Sequence, residues 1–297
     1  MNYYNEIKNK LINNEIYSKV KDYSKERHKV ITYFEIGKLL HEAGSVYGEN
    51  IIGKYSEKLM IEVGKKYDKS TLFKIRKFYL IFSDEKVAPL VPQLSWSHCL
   101  ILLPIKDINK INYYIKQITT RNLSKRQLQD AIKSQEYERL PQETKNKLMT
   151  KQPHKVEDLI KNPIIIKNNS VHKIISEKIL QKLILEDIPS FLKELGNGFT
   201  FIENEYKIKI GDNYNYIDLL LYNIKFKCYV VVELKITPLK KEHIGQIQIY
   251  MNYIDNNLKT IEENSTIGII ICKKNNKFIM EYCSDSRILS KEYELIS

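Results

Sequence analysis

The chain has 297 residues, 43% of them hydrophobic and 28% charged, a balance that predicts packed cores and excludes a mainly disordered polymer. At roughly 100–200 residues per domain, this length predicts two domains. The 48 Lys and Arg outnumber the 36 Asp and Glu, a net charge of +12, and residues 1–160 hold 29 basic against 19 acidic side chains. That excess points to a polyanion such as nucleic acid, because each phosphate contact releases counterions. A Lys-, Asn- and Ile-rich chain from an AT-rich genome would carry the same excess, and only six of the 48 are Arg.

The apolar runs are far shorter than the roughly 20 residues that span a bilayer, so no membrane helix is expected. The first residues lack a basic region followed by an apolar one, so no secretory signal is expected. Cys99, Cys228, Cys272 and Cys283 are widely separated, which predicts reduced thiols, a cytoplasmic protein and no zinc site. No Gly-rich phosphate loop is present, so no nucleotide cofactor is expected.

In chain order, Ile7, Leu11 and Ile12 open a helical pattern, and Val30, Ile31, Phe34, Ile36, Leu39 and Leu40 give a second. Tyr55, Leu59, Met60 and Val63 give a third. Asp68 to Thr71 supply caps before Leu72, Ile75, Phe78, Tyr79 and Phe82. Pro89 and Pro92 mark a break, Trp96 to Leu103 is an apolar stretch stopped by Pro104, and Ser124 caps a helix through Leu128, Ala131 and Ile132. Pro141, Pro153 and Pro163 then punctuate a polar, Lys-rich stretch. The expectation is a helical domain over residues 1–150, a linker over 151–169 and an α/β domain over 170–297.

In that last part, Ile175, Ile179, Leu183 and Ile184 share a helix face, and Pro189 forces a kink or a second helix. Strands are expected over 199–210, 214–222, 225–235 and 266–273, with a helix over 242–258 between the last two.

Three charges interrupt or end apolar strands there: Asp218 in Tyr216–Leu221, and Glu233 and Lys235 after Tyr229–Val232. Such charges are costly unless paired or bound to a cation. Residues two apart share a strand face, so Glu233 and Lys235 project together. A short turn would pair the strands antiparallel and bring Asp218 near Glu233. Two adjacent carboxylates suit an oxygen-preferring cation, Mg²⁺ or Mn²⁺, and a structural ion pair to Lys235 accounts for the same spacing. His98, beside Trp96, reads more readily as a structural residue packed or hydrogen-bonded at an inter-helix turn than as a ligand, and His243 as an exposed helix-start residue rather than a phosphate contact. Arg76-Lys77 and Lys125-Arg126 are candidate phosphate contacts or ordinary solvated helix faces.

Asp218…Glu233-Leu234-Lys235 resembles the core motif of the PD-(D/E)XK nuclease superfamily, and Gln246 and Tyr250 resemble its Gln-x-x-x-Tyr helix motif. Phe191–Phe199, Tyr216–Leu220, Val231–Lys235 and Gly245–Tyr253 occur in the order expected of the YhcG family. The first half adds Glu35–Lys38, Arg76–Tyr79 and Ser95–His98. The resemblance implies a restriction-endonuclease-like mixed sheet flanked by helices, preceded by a helical domain for DNA binding or assembly. It implies Mg²⁺- or Mn²⁺-dependent hydrolysis of DNA phosphodiesters, in restriction, recombination or repair. Asp218 and Glu233 would take the metal, Lys235 would serve the water, Gln246 would orient it, and a homodimer would suit two-strand cutting. Two positions depart from the pattern. Gln181 stands where an acidic residue is usual, with Glu177 or Glu186 as substitutes, and Glu205 stands where Gln is usual. A non-catalytic scaffold with a nuclease fold, or a nuclease acting on RNA, are the alternatives.

Overall fold

The computed structural model describes residues 2–18, 25–48, 50–85, 87–150, 155–168 and 174–296. They divide into two compact units, one ending at Tyr137 and one beginning at Glu138.

The first unit is helical: α1 (Tyr3–Ser18), α2 (Lys25–Tyr47), α3 (Asn50–Glu62), α4 (Lys69–Phe82), α5 (Trp96–Leu102), α6 (Ile108–Arg121) and α7 (Lys125–Lys133). Helices α2 and α4 form its spine. Gly37 of α2 lets them touch, because a Cβ there would stand 2.6 Å from both the Ile75 carbonyl oxygen and Tyr79 Cβ. Tyr33, Phe34, Phe78 and Trp96 meet edge-on around that contact, with Phe82 tilted against Phe78. The expected caps form. Asp68 accepts from Thr71 N–H at 2.8 Å, and Ser124 and Gln127 cap α7 reciprocally. Pro89 and Pro92 lie in a 3₁₀ turn over Ala88–Gln93.

Helix α6 lies where the hydrophobic pattern predicts no element. Its Asn, Thr, Tyr and Ile residues are weak helix formers. Burial of Ile111, Tyr114, Ile115 and Ile118, the Asp107 cap and left-handed Asn122 at its end hold it instead.

The second unit is a six-stranded mixed sheet between helices. After α8 (Gln142–Thr150) come β1 (Ile164–Lys167), α9 (Glu177–Glu186), α10 (Ile188–Leu195), β2 (Phe199–Ile210), β3 (Asn213–Asn223) and β4 (Cys228–Pro238). Then follow α11 (Lys241–Asn257), β5 (Asn264–Lys274), α12 (Lys277–Glu281) and β6 (Ile288–Ile296). The spatial order is β1-β6-β5-β4-β3-β2. The pairs from β1 to β4 are parallel, and β4–β3 and β3–β2 are antiparallel. One face buries Leu219, Val230, Val232, Leu234 and Ile271 against α9 and α10. The other buries Ile217, Val231 and Ile270 against Ile247, Tyr250 and Met251 of α11. Gly268 admits α11, since a Cβ there would meet Met251 Sδ at 2.5 Å.

Two expectations need correction. The boundary falls at Tyr137/Glu138, ahead of residue 150. Among the described residues, the stretch expected as a linker is also part of the second unit: Ile164 and Ile166 of β1 are in its core, with Val156 and Ile160. Pro163 lies in a bend just before β1, in a segment pinned at several points, and Pro153 lies outside the described residues. Arg139 and Lys161 both pair with Glu194 on α10, whose carboxylate also accepts from Ile165 N–H at 3.1 Å. Neither β1 nor β6 is foreseen, because neither carries a long alternating run. No described helix is long and apolar enough to cross a membrane.

Candidate active site

The site forms where two antiparallel strands part. β3 pairs with β4 from Asn223↔Cys228 to Leu219↔Val232. One step further, Asp218 would face Glu233, but the ladder stops. Leu234 N–H turns instead to the Asp218 side chain, donating to Oδ2 at 2.7 Å. A carboxylate thus takes the place of a strand partner at the fork, and Asp218 is fixed by the backbone between Glu233 and Lys235.

Glu233 is 1% exposed. Its Oε2 accepts from Lys235 Nζ at 3.3 Å, while its Oε1 is buried with no hydrogen-bond partner. Leaving a buried acceptor unmet costs about 1–3 kcal/mol, more when it is charged. Burial and the neighbouring Asp218 charge push the Glu233 carboxyl up. Burial also raises Asp218, against the Leu234 N–H and the Lys235 charge, which favour ionisation. Each carboxyl resists ionisation beside the other, a cost that a cation between them would relieve. Burial works against the Lys235 charge, yet Glu233, Glu177 and Asp218 outweigh it and keep the ammonium protonated.

The remaining candidates separate clearly. Glu177 opens α9 and lies 3.9 Å from Lys235 Nζ. Glu186 ends the same helix, exposed and about 13 Å along its axis, so the structure does not bring it to the site. Gln181, one turn after Glu177, is buried, and its Nε2 donates to the Asp218 carbonyl at 3.0 Å. The departure from an acid at this position therefore serves the architecture, since a neutral donor anchors the strand that presents Asp218. Gln246 and Tyr250 share a face of α11, with Gln246 Nε2 donating to the Tyr250 hydroxyl at 3.1 Å. Tyr250 is raised by burial first, with Gln246 opposing and the Glu233 charge adding, which places it beside the acidic pair.

Glu205 is the residue to which sequence reasoning gives least weight. It stands opposite Asp218 in the β2–β3 register, between Asn204↔Leu219 and Tyr206↔Ile217. Its φ is +51°, a left-handed turn inside a strand, and its charge helps raise Asp218. A non-Gly residue in that conformation is costly, and no periodicity signals it.

Both histidines act as helix-start residues. His98 N–H donates to Ser95 Oγ at 3.3 Å while His98 Nδ1 accepts from Ser95 N–H at 3.4 Å. His243 Nδ1 accepts from Lys240 N–H at 3.2 Å. In the helical unit, Arg76 is half-buried beside Gly44 of α2. Lys77, Lys125 and Arg126 are exposed, the last two in the first turn of α7.

The donor set fits the cation expected here. Mg²⁺ or Mn²⁺ takes oxygen ligands, and Mg²⁺ commonly uses one or two carboxylates together with water and substrate phosphate. Asp218 and Glu233 are two such carboxylates, one with an unmet oxygen. Among the described residues no three His, Cys, Asp or Glu side chains close into one ligand cluster.

Residues 157–296 match the YhcG PDDEXK nuclease domain family, and residues 10–139 match the DUF1016 N-terminal domain family. The chain is 24% identical over 309 residues to "Putative nuclease YhcG" of Escherichia coli (strain K12), covering 89% of this chain and 82% of that one. A repair endonuclease from Pyrococcus abyssi aligns at 17% identity over 41% of this chain and 48% of its own, with a TM-score of 0.29. The structure described as an EndoMS–dsDNA2 complex aligns at 18% over 44% and 49%, also with a TM-score of 0.29. The chain thus spans about half the length of these two solved proteins.

Proposed function

From the match of residues 157–296 to the YhcG PDDEXK nuclease domain family, we propose that this chain is a divalent-cation-dependent endonuclease hydrolysing DNA phosphodiesters. The observation that carries this reading is the buried, unpartnered Oε1 of Glu233 beside Asp218 at the β3–β4 fork.

Asp218 and Glu233 would hold Mg²⁺ or Mn²⁺. When bound, the cation supplies charge stabilisation to the pentavalent oxyanion and lowers the pKa of the attacking water. The protein's own groups do the rest. Leu234 N–H and Gln181 fix Asp218 from both sides, so the ligand pair is set before substrate arrives. The Lys235 ammonium, held by Glu233 and Glu177, stabilises negative charge on a scissile phosphate or on the water as it loses its proton. Gln246, braced by Tyr250, offers an amide to position that water. In the same reading, the helical unit engages DNA through exposed bases such as Lys77, Lys125 and Arg126, and paired copies of the chain would cut both strands.

The test is a cleavage panel of linear, supercoiled and branched DNA and of RNA, with Mg²⁺ or Mn²⁺ added or chelated. Cleavage is expected on DNA, to stop with chelator, and to fall at least about 100-fold in Asp218→Asn, Glu233→Gln and Lys235→Ala. Calorimetric titration of Mn²⁺ should show binding lost in the first two and kept in the third. Equal cleavage by wild type and all three variants would sink the site, and cleavage of RNA alone would move the substrate class. For the helical unit, residues 1–137 should bind duplex DNA with an affinity that falls steeply with salt. A flat titration at low salt would remove that role.

A further inference from the structure

Beyond Leu219, β3 leaves β4 and stays paired only with β2, from Tyr206↔Ile217 to Ile210↔Asn213. This two-stranded arm has unlike faces. One is seated on the α11 layer through buried Ile208 and Ile217, with Tyr206 and Ile210 packed beside them. The other carries Lys207 and Lys209 from β2 and Tyr214 and Tyr216 from β3, in register as Lys207↔Tyr216 and Lys209↔Tyr214. Both lysines are exposed, and the two tyrosines are 57% and 53% exposed. Lys207 Nζ stands 3.9 Å from the Tyr214 ring centroid and Lys209 Nζ 6.0 Å.

One register step on, Glu205 stands opposite Asp218 at the point where the alternation breaks, with Ile217 in the α11 layer and Leu219 against α9 and α10. With about 3.3 Å per residue, Tyr216 and Tyr214 stand about 7 and 13 Å along the strand from Asp218. Those spacings are comparable to one and two steps of an extended sugar–phosphate backbone. Alternating ammonium groups and exposed aromatic side chains match a polyanion whose bases have exposed faces. A duplex stacks its bases away from such rings, so the chemistry favours an unpaired strand.

Resting on the nuclease reading above, we propose that the β2–β3 arm is the substrate track of the site. Tyr214 and Tyr216 stack on bases of an unpaired DNA segment next to the bond being cut, and Lys207 and Lys209 contact its phosphates. The left-handed turn at Glu205 lies at the end of the track where the arm meets the acidic pair.

The experiment uses the full chain with chelator present, so that binding is read without cleavage. Fluorescence anisotropy follows a labelled single-stranded oligothymidine and a labelled duplex. The double variant Tyr214→Ala/Tyr216→Ala should lose about tenfold or more in single-strand affinity, with an unchanged salt slope, because base stacking is sequence-tolerant and weakly ionic. Its duplex affinity should change by less than about threefold, and Tyr→Phe at both positions should restore single-strand binding. Lys207→Ala/Lys209→Ala should flatten the slope of log affinity against log salt by about 1.4, near 0.7 for each phosphate that is no longer neutralised. Wild-type affinity in the tyrosine double variant, or no single-strand binding by the wild type, overturns the track. Cleavage by the wild type alongside unaltered binding by the variants would discard the track and leave the nuclease reading standing. Stacking loss in a chain that cleaves nothing would do the reverse.

Discussion

At the scale of single residues, the site rests on groups that serve one another before they serve a substrate. Gln181 is the clearest case. Its amide satisfies the carbonyl of the residue whose side chain satisfies Leu234. Gln181→Leu keeps the buried volume and removes the donor. It is expected to cost about 1–3 kcal/mol in urea unfolding, the penalty of an orphaned buried acceptor. Mn²⁺ affinity should fall with it, because Asp218 loses its tether; unchanged affinity in a destabilised variant would make Gln181 purely structural. The triplet Asp218, Glu233 and Lys235 is legible in the sequence because charges inside apolar strands violate a strong rule. Gln181 is not, since a buried Gln on a helix face carries no periodic signal, and its partner is 37 residues away. Glu205 is hidden for a similar reason: a left-handed backbone at a Glu is decided by strand pairing, and nothing local announces it.

At the scale of elements, legibility follows how local the determining forces are. Caps at Asp68 and Ser124 are short-range chemistry and form as read. Helix α6 and strands β1 and β6 depend on what they are buried against. The same distinction predicts how α10 is held. Glu194 sits near its C-terminal end with Arg139, Lys161 and Ile165 N–H around it. Burial would raise its carboxyl, but Arg139 and Lys161 prevail and hold it below the usual range. A group with a depressed folded-state pKa contributes stability that is present above its unfolded pKa of about 4.3. That contribution fades as pH falls through the lower folded value. Glu194→Gln is therefore expected to be less stable than wild type at pH 7 by about 3 kcal/mol, as when one partner of a buried ion pair is removed. The gap should narrow below about pH 4 as the wild-type carboxyl takes up its proton. Thermal melts across pH 3–7 read this directly, and a gap independent of pH would mean that shape, and not charge, is what Glu194 supplies.

At the scale of the whole molecule, the prolines at 141 and 163 mislead because linkers and pinned extensions share a composition. What separates them is long-range contact, which a single sequence does not display. β1 covers the β6 edge through Ile164↔Tyr293 to Lys167↔Ile296. Buried Lys291 of β6 donates to the Ile160 carbonyl at 3.2 Å, and Thr144 of α8 donates to the Asp158 carbonyl at 3.0 Å. A fragment of residues 138–297 keeps all of these, so it is expected to unfold cooperatively and to bind Mn²⁺ as the full chain does. A fragment of residues 170–297 uncovers β6 as an unpaired parallel edge, a template for association with other chains. It also strips Glu194 of both cations and empties the core positions of Val156, Ile160, Ile164 and Ile166. It should aggregate on size-exclusion chromatography or melt without cooperativity, although it retains Asp218, Glu233, Lys235 and Gln246. Matching melts for the two fragments would show that the sheet closes without β1, and the boundary would return to the neighbourhood of residue 170.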